Sequence, residues 1–133
     1  MCLDYVTYEP WTEEKKIGYK LFVPNKDGTK FSGLFYNVSK KYELNEIYID
    51  EKDHFIYSDT RSYKTGFHIF KTEQDARSYG GISGKVLVKV EYSNVVAEGY
   101  QNGWYGKCHC VVAKQMKLVE IVYDYYKEKE KCV

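Results

Sequence analysis

Among the residues able to do chemistry, His68 has the most suggestive setting. It sits in Gly66-Phe67-His68-Ile69-Phe70; in a strand, Gly66, His68 and Phe70 share one face and Phe67 and Ile69 the other. A histidine beside a glycine and an aromatic suits a ligand that approaches the backbone closely, and its ring donates or accepts near neutral pH. The competing reading is a half-buried histidine satisfied by a neighbouring carbonyl. Arginine is scarce: of 20 basic residues only Arg61 and Arg77 are arginine. Arg61 falls in a polar loop before the His68 motif and is the stronger candidate for binding phosphate or carboxylate with two parallel hydrogen bonds. Arg77 falls on a helix, where a solvated face explains it. Cys2 becomes an N-terminal nucleophile with its own amine as base if Met1 is removed. Asp4 opposes a thiolate there, and a buried structural cysteine is the simpler reading. Cys108 and Cys110 share one strand face with His109 on the other. They lack the second ligand pair that zinc requires, so two small buried side chains are expected and no metal.

The elements that must position these residues read as strands. Ile17–Val23 is a strand, and Pro24–Gly28 is turn chemistry ending in Asp-Gly. Lys30–Val38, Tyr42–Ile49 and His54–Tyr57 are further strand candidates, with Ser58–Lys64 a loop. Gly66–Phe70 leads into a helix at Glu73–Tyr79, capped by Thr72 and stopped at Gly80-Gly81. Lys85–Tyr92 alternates cleanly, and Val95–Tyr100 follows as a candidate sheet edge able to pair two chains. Asn102-Gly103 is a type I′ hairpin signature that leaves Trp104 and Tyr105 at its cap. Cys108–Ala113 and Met116–Tyr123 make one long strand, or two joined by a bulge. The tail over 125–133 alternates Lys and Glu and forms a short solvated helix or frays. The expected fold class is α+β: a single domain over 1–133, mostly antiparallel sheet, with one short helix at 73–79 and a second candidate helix at the C-terminus.

Composition narrows the partners. The 133 residues carry 20 basic and 19 acidic side chains, a net charge of +1, which gives no broad attraction to nucleic acid or an anionic membrane. No apolar run reaches the roughly 18–20 residues of a membrane span. With no secretory start visible, a reducing host cytosol without disulfides is expected. Tyrosine occurs 15 times, chiefly in strand-like runs where it packs half-buried surfaces. Oligomeric state stays open.

The ordered set Met1-Cys2-Leu3, Gly18-Tyr19-Lys20-Leu21-Phe22, Gly66-Phe67-His68-Ile69-Phe70, Asp75-Ala76, Val88-Lys89-Val90, Val96-Ala97-Glu98-Gly99 and Val112-Ala113-Lys114-Gln115-Met116 resembles a group of small bacteriophage and mobile-element proteins. The resemblance implies a phage-type accessory role, counter-defence by analogy, and no particular activity. Residues 66–92 are also similar to the strand–helix–strand of ADP-ribosyltransferases. The catalytic set of those enzymes is not reproduced: Tyr19-Lys20 stands in the first-strand position, and no motif places Glu98 or Glu120. Together these point to a binder that sequesters a nucleotide-like signal or blocks a host defence protein. His68, Tyr19 and Phe70 would contact base or ribose, and Arg61 and Lys20 phosphate. The alternative is an enzyme acting on nucleotides, either a degenerate ADP-ribosyltransferase relative or a Cys2/His68 hydrolase. No cofactor is implied.

Overall fold

The computed structural model describes residues 3, 5–8, 14–33, 40–52, 55–57 and 62–131. They form a sheet-dominated, mostly antiparallel protein in which the helices are accessory. In chain order the strands are β1 (Tyr5–Tyr8), β2 (Lys16–Pro24), β3 (Phe31–Ser32), β4 (Lys41–Tyr42), β5 (Ile47–Ile49), β6 (Phe55–Tyr57), β7 (Ser62–Lys64) and β8 (Phe67–Phe70). Helix α1 (Glu73–Gly80) follows, then β9 (Val86–Gly103), β10 (Gly106–Asp124) and helix α2 (Tyr125–Lys131).

The β9–β10 hairpin is the spine. It is longer than the sequence pattern implies, because Ser93-Asn94 does not end the strand. Asn94 takes a left-handed backbone (φ 58°) while the ladder continues through it; asparagine tolerates that conformation better than other non-glycine residues. Register shifts leave Val96 extra on β9 and Val119 and Val122 extra on β10. Such bulges sharpen the local twist. That twist lets β2 pair with β9 along Lys16–Phe22 and meet β8 at Tyr19–Phe70, while β8 pairs with β10. The ring β2–β9–β10–β8 thereby closes on itself, as in a small barrel.

Two apolar clusters fill the two sides of this ring. Phe67 and Ile69 of β8 join one, with Phe22, Val88, Val90, Met116 and Leu118. Phe70 joins the other, with Leu21, Leu87, Ala97, Cys110 and Ala76 of α1. Both faces of β9 are therefore buried near its start: Val86, Leu87, Val88 and Val90 are all 0 % exposed. Helix α1 begins as expected. The Thr72 hydroxyl accepts from the Asp75 amide (3.0 Å), and Gly81 (φ 79°) closes the far end by donating to the Arg77 carbonyl (3.2 Å).

Several expected boundaries move. The Tyr42–Ile49 strand divides into β4 and β5 around a turn at Asn45 (φ 66°), joined to β10 by a bridge between Leu44 and Leu118. Part of the expected Ser58–Lys64 loop is β7, paired with β6. Of Lys30–Val38, only Phe31–Ser32 is strand, and 34–39 lie outside the described residues. Val95–Tyr100 is not an edge, since β10 flanks it on one side and β1 covers 98–100 on the other. The hairpin turns at Trp104-Tyr105, not at Asn102-Gly103. The Trp104 and Tyr105 amides donate to the Tyr79 and Ser78 carbonyls (3.0 and 3.1 Å), so the end of α1 sets where the ribbon reverses. Gly103 is held against that helix end: a Cβ there would lie 2.6 Å from the Ser78 carbonyl oxygen.

Candidate functional site

The β2–β8 seam brings together four of the five residues expected to bind ligand. Tyr19 lies opposite Phe70, and the Lys20 ammonium donates to the His68 carbonyl oxygen at 2.7 Å. Arg61 lies outside the described residues, as does Cys2. His68 and Phe70 face inward, while Tyr19 and Lys20 are half-buried. Phe70 is 1 % exposed and packs on Tyr79 with ring centroids 5.4 Å apart; His68 is 4 % exposed. Burial drives the His68 pKa down to about 3, and the nearby Lys20 charge pushes the same way, so the ring is neutral at ordinary pH. Desolvation lowers Lys20 to about 8. Burial raises the Cys110 thiol to about 12 against the opposing pull of Lys20. With the His68 ring lowered to about 3 and the Cys110 thiol raised to about 12, the imidazole is too weak a base to take the Cys110 proton. Cys108 is likewise buried, while His109 on the opposite face is exposed, as the alternation predicts.

The glycine of the motif has a packing reason. A Cβ at Gly66 would lie 2.7 Å from the Ala113 carbonyl oxygen and 2.9 Å from Val112 Cγ1. The strands approach too closely there for any side chain. Phe67, on the face opposite His68, is also buried, at 7 % exposure, and belongs to the first apolar cluster.

Phe67 lines a pocket of 340 Å³ with Lys40, Tyr42, Ile49, Asp50, Glu51 and Lys52. Its volume falls in the range of about 300–1,000 Å³ usual for small-molecule sites. Tyr42 and Phe67 meet edge to face, centroids 6.3 Å apart, and Tyr48 stands edge-on to Tyr42 at 4.8 Å. The Lys40 ammonium rides over both tyrosines at 5.8 and 5.6 Å. Lys114 of β10 holds the wall. Its ammonium donates to the carbonyls of Lys52 (2.6 Å) and Thr65 (2.7 Å), and its own carbonyl accepts from the Asp50 amide (2.8 Å). Asp50 Oδ1 accepts from the Lys52 amide at 2.9 Å; its Oδ2 is buried with no hydrogen-bond partner among the described residues. Sequence reading missed this site. Its lining comes from 40–52 and 67, braced by Lys114, and the interleaving of aromatics and lysines around 36–42 and 63–67 is a local signal for it.

No group of three His, Cys, Asp or Glu among the described residues is arranged to hold a metal, and no described helix is long and apolar enough to cross a membrane. No protein-family model, curated protein or solved structure matches the chain.

Proposed function

We propose that this chain is a phage-type accessory protein that acts by binding, with a nucleotide-like small molecule as ligand and sequestration of a host signal as the purpose. The observation that carries the reading is the pocket over Tyr42 and Phe67. It combines an aromatic floor with two lysines, Lys40 and Lys52, and two carboxylates, Asp50 and Glu51. A heterocyclic base stacks on such a floor, and phosphate oxygens suit ammonium donors. The ligand belongs in this pocket and not at the seam, because Lys20 and Phe70 already spend their polar and apolar surfaces on internal contacts.

Native mass spectrometry with a panel of cyclic and ADP-ribose-derived nucleotides tests this. The expected result is one intact nucleotide retained per chain, with retention reduced by Lys40→Glu and Lys52→Glu. Released, chemically altered nucleotide would replace the reading with an enzyme. Absence of any retained nucleotide would overturn it.

A further inference from the structure

The polar groups that line the pocket over Tyr42 and Phe67 are of two kinds. Lys40 and Lys52 are donors, whereas the carboxylates of Asp50 and Glu51 only accept. The two carboxylates are held differently. Asp50 is fixed at both ends: its amide donates to the Lys114 carbonyl at 2.8 Å, and its Oδ1 accepts from the Lys52 amide at 2.9 Å. Glu51 is exposed.

Fixing Asp50 in this way leaves Oδ2 buried and without a hydrogen-bond partner among the described residues. A buried acceptor left unmatched is costly. Nearby cations are engaged elsewhere. The Lys114 ammonium donates to the Lys52 and Thr65 carbonyls, and the Lys40 ammonium lies over the Tyr42 and Tyr48 rings. What Asp50 lacks is an N–H donor, and a ligand in the pocket that it lines brings one.

Bases differ on this point. Guanine carries two N–H donors side by side, N1–H and the 2-amino group, which match the two oxygens of one carboxylate as the arginine fork does. Oδ1 keeps a second lone pair for this while it accepts from the Lys52 amide. Hypoxanthine has N1–H but no amino group. Adenine and cytosine set a ring-nitrogen acceptor beside their amine, and uracil flanks its one N–H with two carbonyl oxygens.

We infer that the pocket selects a guanine nucleotide, with the Asp50 carboxylate as the specificity-determining acceptor for the base edge and Lys40 and Lys52 serving the phosphate. This rests on the nucleotide reading of the pocket and narrows it to one base.

Titration calorimetry of the full chain with the 5′-monophosphates GMP, IMP, XMP and AMP, which differ only in the base, tests the assignment. GMP should bind about tenfold tighter than IMP, the loss expected for one hydrogen bond to a charged group, and AMP should bind more weakly still. Asp50→Asn exchanges one acceptor for a donor. It should weaken GMP about tenfold or more and favour XMP, which offers a carbonyl oxygen where GMP has its amine. Glu51→Gln should move all four affinities together and keep their order. The order in the parent chain needs no variant, so the assignment stays refutable even if Asp50→Asn unfolds. Equal affinity for GMP and AMP, an unchanged order in folded Asp50→Asn, or an order inverted by Glu51→Gln would overturn the assignment and leave a nucleotide pocket in place. So would retention of other nucleotides without GMP. Binding of no nucleotide at all would overturn both.

Discussion

Lys20 donates a hydrogen bond to the backbone carbonyl of His68 at 2.7 Å, across a seam where β2 and β8 share only the Tyr19–Phe70 pair. A side chain thus bridges two strands where the backbone ladder is thinnest. The contact also sets a cation beside an imidazole, and the two groups respond to pH in different windows.

His68 governs the acid side. Its pKa falls from an ordinary 6.5 to about 3 in the folded chain. Between those values the unfolded chain holds a proton that the folded chain does not, so stability declines as pH drops from 6.5 toward 3. Each pKa unit corresponds to about 1.4 kcal/mol, so the full effect is a few kcal/mol. Urea midpoints of the parent and of His68→Gln, measured from pH 7 to pH 4, should converge as pH falls. Parallel curves would remove His68 as the cause.

Lys20 governs part of the alkaline side. Its folded pKa of about 8 lies below the ordinary 10.5. Between the two, the folded chain releases a proton that the unfolded chain keeps, so this residue makes stability rise with pH there. Cys110, raised from 9 to about 12, acts in the opposite sense between pH 9 and pH 12. Lys20→Met should therefore lose the rise between pH 8 and pH 9, read as a flattened melting temperature against pH.

Buried thiols should be silent. Cys108 and Cys110 are both 0 % exposed, and Cys110 is held protonated. An aromatic disulfide reagent should modify neither in the native chain at pH 8, while both should react in denaturant. Peptide mapping after labelling separates them from Cys2 and Cys132. Fast native labelling of Cys110 would contradict its burial.

At the hairpin tip, side chain and backbone should behave oppositely. Trp104 and Tyr105 are 80 % and 73 % exposed, so serine at either position should shift stability by less than about 0.5 kcal/mol. Gly103→Ala forces a Cβ against the Ser78 carbonyl and the Tyr79 Cα (2.6 and 2.7 Å) and should cost about 1–3 kcal/mol. Denaturant unfolding of the three variants gives the comparison.

Lys114 should act as a positioning residue for the pocket wall. Lys114→Met strands the Lys52 and Thr65 carbonyls, at a cost of about 1–3 kcal/mol. Amide exchange should quicken locally over 50–52 and not in β9. A uniform rise across the sheet would mean that the residue supports the fold at large.

What the sequence determined by itself is local. Alternation in Lys85–Tyr92 and the Thr72 cap with its Gly80-Gly81 stop mark β9 and α1, because period-two burial and capping are properties of neighbouring residues. The tail helix and the inward pair Cys108 and Cys110 follow from the same kind of reading. Tyr19, Lys20, His68 and Phe70, expected together from motif order, meet at the β2–β8 seam. The burial of His68 and Phe70 was not legible: half a strand's neighbours come from segments far away in the chain, and only the closure of β2 onto both β8 and β9 encloses them. Tertiary contact also decided the turn at Trp104-Tyr105, where two carbonyls at the end of α1 outweigh the intrinsic preference of Asn-Gly. The pocket draws six of its seven lining residues from 40–52, and tertiary contact sets Phe67 beneath them. Lys114 ties segments 52 and 65 together from β10, and no spacing along the chain encodes that meeting.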